Sequence, residues 1–237
     1  MQGTIFRAAL GVCMLAASLG ATAQTVADVG DPDSFGRSVT YLGLVQTKAV
    51  YLEADCSVVT DPDGRCITLL PAPATTRFDE ANLGTMRLPA YATRTHLCYQ
   101  LNANVLYNMF NPSSTARPAS FFGRATIEIE NTVLNNPALV DPNTGLPYNG
   151  KISFTLSANT ETFTLAPFEQ KFKSGWENRN CLGGLISRRG LIGTYGLTSA
   201  QAAEFFRRPI TLRFGATGGG YSVEYGQFFY GMRIYGD

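Results

Sequence analysis

The sequence predicts a mainly β protein, an antiparallel β-sandwich-like domain with a short helical excursion near residues 185–208. Three observations predict it. Apolar and polar residues alternate with period two in several segments, the spacing that gives a strand one buried face. Turn chemistry punctuates those segments at Asp141-Pro142-Asn143-Thr144-Gly145, Asn149-Gly150 and Gly218-Gly219-Gly220. One late segment carries both start and stop signals of a helix. Many short strands with turns between them point to a sandwich or a barrel.

In chain order, strands are expected at residues 38–45, 49–53, 65–70, 85–88 and 95–107. Residues 111–118, rich in Pro, Ser and Thr, read as a surface loop. The clearest alternation follows. Ala125, Ile127 and Ile129 alternate with Thr126, Glu128 and Glu130. Ile152, Phe154, Leu156 and Ala158 alternate with Ser153, Thr155 and Ser157. A strand at 160–165 comes next. A short helix is expected near 185–194 and a firmer one from Thr198, where Thr198 and Gln201 form a capping box. Ala200, Ala202, Ala203 and Glu204 favour that helix, Arg207 and Arg208 complement its negative end, and Pro209 stops it. Ile210, Leu212 and Phe214 then alternate with Thr211 and Arg213, and residues 221–235 close the pattern.

The N-terminus reads as an export signal. Arg7 is its only basic residue, residues 8–19 are apolar, and Gly20 to Ala23 are small. Ala21-Thr22-Ala23 is an A-x-A cleavage site, so residues 1–23 form a signal peptide cut between Ala23 and Gln24. The apolar run is too short to span a bilayer as a helix. Residues 24–237 then form a single β-rich domain. Removal of Arg7 takes the 19 basic residues to 18, equal to the 18 acidic ones. A neutral chain has no global field to draw nucleic acid or an anionic membrane. Elsewhere no apolar segment is long enough for a transmembrane helix.

The expected mature chain keeps Cys56, Cys66, Cys98 and Cys181. An even number in an oxidising compartment predicts disulfides. Asp61-Pro62-Asp63-Gly64 is a strong turn signal that favours Cys56–Cys66 across a tight hairpin, leaving Cys98–Cys181. A four-thiolate zinc site lacks the usual C-x-x-C pairs.

Catalytic chemistry has few carriers. His96 is the only histidine, and no Gly-x-Ser-x-Gly elbow offers it a serine. Glu128 and Glu130 share one strand face and are the candidate acid–base pair for a hydrolase. The triple glycine precedes no Lys-Ser/Thr, so it is not a phosphate loop. Asp55, Asp61 and Asp63 suit turns better than a calcium loop. No metal and no cofactor are expected.

Binding has more candidates. Arg188 and Arg189, with Arg207 and Arg208, concentrate positive charge that could dock an anionic glycan or partner. In the last strand, Phe228, Tyr230, Met232 and Ile234 alternate with Phe229, Gly231, Arg233 and Tyr235. Phe229 and Tyr235 are therefore candidates to stack on a sugar or a partner. The segments Val29-Gly30-Asp31-Pro32-Asp33-Ser34-Phe35-Gly36-Arg37 and 230–237 resemble uncharacterised exported proteins of Gram-negative bacteria, a likeness that implies the compartment and no activity.

The expectation is an exported, soluble, non-catalytic binding or structural protein, periplasmic or extracellular, with an envelope glycan or protein as partner. A secreted hydrolase of envelope or extracellular polymers and an outer-membrane β-barrel are the alternatives. The barrel is disfavoured by the capped helix and the cysteines, and by a charged residue at the end of the last strand.

Overall fold

The computed structural model describes residues 39–72, 74–180 and 185–237. The expected signal peptide with its Ala23–Gln24 junction, the segment 29–37 and Cys181 lie outside the described residues.

Two sheets pack face to face in a β-sandwich. The strands of the first sheet are β1 (Thr40–Gln46), β2 (Val50–Glu53), β3 (Arg65–Thr68), β5 (His96–Phe110), β9 (Gln170–Asn180), β10 (Ile186–Ser187) and β12 (Val223–Gly236). Those of the second are β4 (Thr76–Leu88), β6 (Arg117–Glu130), β7 (Lys151–Thr155), β8 (Asn159–Leu165) and β11 (Ile210–Tyr221). In the first sheet β5 and β12 lie side by side. Beyond β5 come β9 and β10, and beyond β12 come β1 and β2, with β3 outside β2. In the second sheet β11 lies between β4 and β6, and β7 and β8 flank β6.

Alternation decides which residues meet between the sheets. Phe228, Tyr230, Met232 and Ile234 of β12 are buried, as are Leu101, Ala103, Val105, Tyr107 and Met109 of β5. Ala119, Phe121, Ala125, Ile127 and Ile129 of β6 and Leu212, Phe214 and Ala216 of β11 face them. Rings of each sheet sit on glycines of the other. A Cβ on Gly123 would come within 2.7 Å of the Phe228 ring, and one on Gly226 within 2.7 Å of the Phe121 ring. The missing side chains thus make room for the opposing rings. Tyr230 crosses the interface: its hydroxyl lies 2.8 Å from both Thr126 O and Gly215 O on the second sheet and donates its proton to that carbonyl pair. Burial pushes its pKa well above the usual phenol value.

Several elements differ from the sequence expectation. β4 starts at Thr76, not at 85, and β6 at Arg117, which shortens the loop expected over 111–118. Gly218-Gly219-Gly220 is not a turn but the second half of β11, paired with β4 and β6 on its two sides. The Phe78 ring fills the space a side chain at Gly218 would take, and Thr76 O with the Phe122 ring fills that at Gly219. β9 was not expected at all.

The Cys56–Cys66 disulfide forms, with a Cα–Cα distance of 5.7 Å, but not across a hairpin. β2 and β3 pair in parallel, so the chain between them crosses over. Cys56 sits in a 3-10 turn capped by Asp55, and the expected turn at Asp61 supplies the return. Cys98 is also disulfide-bonded.

The helical excursion contains α1 (Arg188–Gly193) and α2 (Ser199–Arg207). The capping box of Thr198 and Gln201 is present, and Ala202, Phe205 and Phe206 bury the inner face of α2. Buried Asn131, just after β6, donates to Phe205 O at 2.9 Å and ties the helix end to the second sheet.

Candidate binding face

The two outer faces of the sandwich differ in chemistry. That of the second sheet carries ion pairs: Glu128 with Lys151 at 2.7 Å and Glu130 with Arg213 at 2.6 Å. Arg77 and Arg124 flank the Phe122 ring there. The outer face of the first sheet is built from amides and rings at its centre, with Arg233 toward one end and Glu53 toward the other.

Strand register lays this face out in cross-strand rows. One runs Phe229, Asn104, Trp176 over β12, β5 and β9. On one side of it lies the row Tyr51, Gln227, Leu106, Ser174, and on the other Gln46, Gly231, Asn102, Asn178. None of these side chains carries a formal charge at neutral pH.

β9 is inverted relative to an ordinary sandwich strand. Its even-numbered residues, including Phe172 and Trp176, point outward, and these rings are 65% and 62% exposed. Its odd-numbered residues, Lys171, Lys173, Glu177 and Arg179, are mostly half-buried on the opposite side. A one-residue slip would exchange the two sets. The charges have partners where they are. Lys171 lies 4.3 Å from the centre of the Phe163 ring, Lys173 pairs with Glu161, and Arg179 pairs with Glu177. The Glu161 carboxylate also accepts a hydrogen bond from the Tyr107 hydroxyl.

Trp176 and Phe229 lie two strands apart, a backbone separation of about 9.5 Å. Their rings nevertheless meet edge-to-face, 5.7 Å between centres with planes at 90°. Asn104, between them in the row, is only 7% exposed and donates to Gly175 O at 3.4 Å. Beside Phe229 opens a cleft of about 400 Å³ lined by Gln46, Lys48, Tyr51, Asp61, Asp63 and Gln227, among others. The Tyr51 hydroxyl donates to Asp61 Oδ2 at 3.1 Å. Burial, and then the Asp61 carboxylate, push the Tyr51 pKa up. Lys48 and Asp63 form an ion pair of 3.4 Å at the rim.

The structure places the residues singled out in the sequence as follows. Phe229 is on this face and belongs to the cleft. Tyr235 shares the face but lies six residues along β12, about 20 Å away. It meets exposed Tyr41 with ring centres 5.9 Å apart. Arg188 and Arg189 open α1, and Arg188 donates to Ser199 Oγ at 3.0 Å on α2. Glu128 and Glu130 project from the second sheet into separate concavities, each held by its cation. His96 is on the first sheet with no solvent exposure. Its Nδ1 is 3.4 Å from Thr95 Oγ1 and 3.7 Å from Asp237 Oδ1, and its Nε2 has no hydrogen-bond partner among the described residues. The structure therefore does not bring His96 together with the glutamates. Asp55, Asp61 and Asp63 are taken up by Ser57 N, Tyr51 and Lys48 respectively.

Trp176 and Phe172 were missed from sequence. The available signal was the spacing Phe172, Ser174, Trp176 on one parity, with Lys171, Lys173 and Glu177 on the other. The chain matches no protein-family model and no curated protein sequence.

Proposed function

We propose that this is an exported, non-catalytic binding protein of the bacterial cell envelope or extracellular space, and that the outer face of its seven-stranded sheet is the working surface. The orientation of β9 carries the reading. A strand that turns Trp and Phe to solvent leaves apolar area in water that a ligand would cover. The disulfides favour an oxidising compartment, in line with the export signal in the sequence. A hydrolase reading finds less support, because Glu128 and Glu130 are neutralised by cations and lie on the other sheet from His96. A membrane barrel would turn the apolar side of β12 to lipid, whereas here Phe228, Tyr230, Met232 and Ile234 pack against the second sheet.

Two measurements test the proposal together. The chain recovered from native cells should begin at Gln24 and lie outside the cytosol. Its retention on isolated envelopes should fall in a Trp176→Ala/Phe229→Ala variant that keeps the wild-type unfolding midpoint within a few degrees. A cytosolic chain with its full N-terminus would refute export. Undiminished retention of the variant would refute the sheet face as the working surface.

A further inference from the structure

Three features of the face bear on what it binds. Its three central rows hold no charged side chain, so they offer nothing to pair with a charged ligand. They are rich in Asn and Gln, each of which presents both donors and an acceptor to neutral polar groups. Trp176 and Phe229 meet and Leu106 lies in the next row, but Asn102, Asn104, Asn178 and Gln227 surround them, a polar setting unlike the dry core that anchors protein interfaces. A chain that alternates C–H faces with hydroxyls has the complementary pattern. The negative face of an aromatic ring attracts polarised C–H groups, and the amides take the hydroxyls. At the cleft, the carboxylates of Asp61 and Asp63 outnumber the single cation of Lys48, which disfavours an anionic polymer.

We propose that the face holds a neutral polysaccharide. The chain lies over Trp176 and Phe229, hydrogen-bonds to Asn102, Asn178 and Gln227, and enters the cleft beside Tyr51. This rests on the sheet face being the working surface.

The molecule supplies its own reporter, because Trp176 is the only tryptophan in the chain. Purified full-length mature protein is titrated with soluble hydroxyethyl cellulose, galactomannan and dextran as neutral polymers, and with polygalacturonate as an anionic one. Indole emission and acrylamide quenching are read throughout. At least one neutral polymer should shift the emission to shorter wavelength and protect it from quenching, and polygalacturonate should not. Phe229→Ala should weaken that binding about tenfold, while Arg188→Ala leaves it unchanged. Trp176→Ala, followed by affinity electrophoresis in the same polymer, should lose retardation. Equal protection by polygalacturonate would overturn the neutral class. Protection by a protease-sensitive envelope fraction and by none of the polymers would overturn the polysaccharide and leave the sheet face standing. Protection by neither would overturn both.

Discussion

The indole of Trp176 stands edge-to-face with the ring of Phe229, 5.7 Å between centres, although the two residues are on strands separated by β5. The pair roofs Asn104. In the free protein Trp176 emission should be that of an exposed indole, readily quenched by acrylamide. Phe229→Ala should raise the quenching constant further, because one wall of the contact is gone. Trp176→Ala should change stability by no more than about 0.5 kcal/mol, as an exposed side chain does. A loss several times larger in urea unfolding would mean that the ring serves the fold and not the surface.

Tyr230→Phe should destabilise the protein by about 1–3 kcal/mol. The lost hydroxyl lies 2.8 Å from Thr126 O and Gly215 O, and its removal takes a donor away from buried carbonyls. The urea midpoint should fall with an unchanged slope, since the surface exposed on unfolding is the same. An unchanged midpoint would show that the tether contributes nothing net.

Cys56→Ser/Cys66→Ser should lower stability by about 2–3 kcal/mol, the entropy released by reopening a short loop. It should also loosen the turn that holds Asp61 against Tyr51. The Tyr51 pKa, raised in the intact protein, should move back toward the ordinary phenol value, as read by ultraviolet titration against a Tyr51→Phe reference.

Asp237 anchors the end of β12 to the start of β5. Its carboxylate accepts from Thr93 Oγ1 at 2.8 Å, Thr95 N at 2.9 Å and Thr95 Oγ1 at 2.6 Å. Burial alone would raise its pKa, but the hydrogen bonds, led by those from Thr95, win and hold it well below the usual carboxylate range. A depressed folded-state pKa means the stabilisation is fully present above the unfolded-state value of about 4 and is lost as pH falls below it. Asp237→Asn should therefore lower stability at neutral pH and flatten the acid limb of the stability profile below pH 4. Parallel profiles for the two proteins would refute this.

The fold class was legible because β6, β7, β11 and β12 each put clean apolar alternation on one side, and burial enforces that pattern. β9 was not legible. Gln170, Ser174 and Asn178 dilute its rings, and its other parity is charged, so neither side reads as apolar. The edge position that sets Lys171 and Lys173 against Phe163 and Glu161 of β8 is a tertiary fact. Gly218 to Gly220 misled for a related reason, since composition signals a turn while Phe78 and Phe122 supply the missing bulk from neighbouring strands. Phe229 was legible as an outward ring at the sequence level, but its partner lies more than fifty residues upstream. The short path from Cys56 to Cys66 was readable, whereas the parallel pairing of β2 and β3 was not, because turn residues report a reversal and not the strand it returns beside.

Strand β12 follows in the chain every strand it pairs with, and β11 likewise follows β4 and β6. One interior strand of each sheet is thus made after the strands on both its sides. While a ribosome or a translocation channel releases this chain from its N-terminal end, β1, β2 and β5 must wait with open edges, and so must β4 and β6. Pairing so remote along the chain is slow. That delay keeps the polypeptide threadable until late in its emergence, and it leaves the waiting strands to be shielded from one another by whatever escorts them.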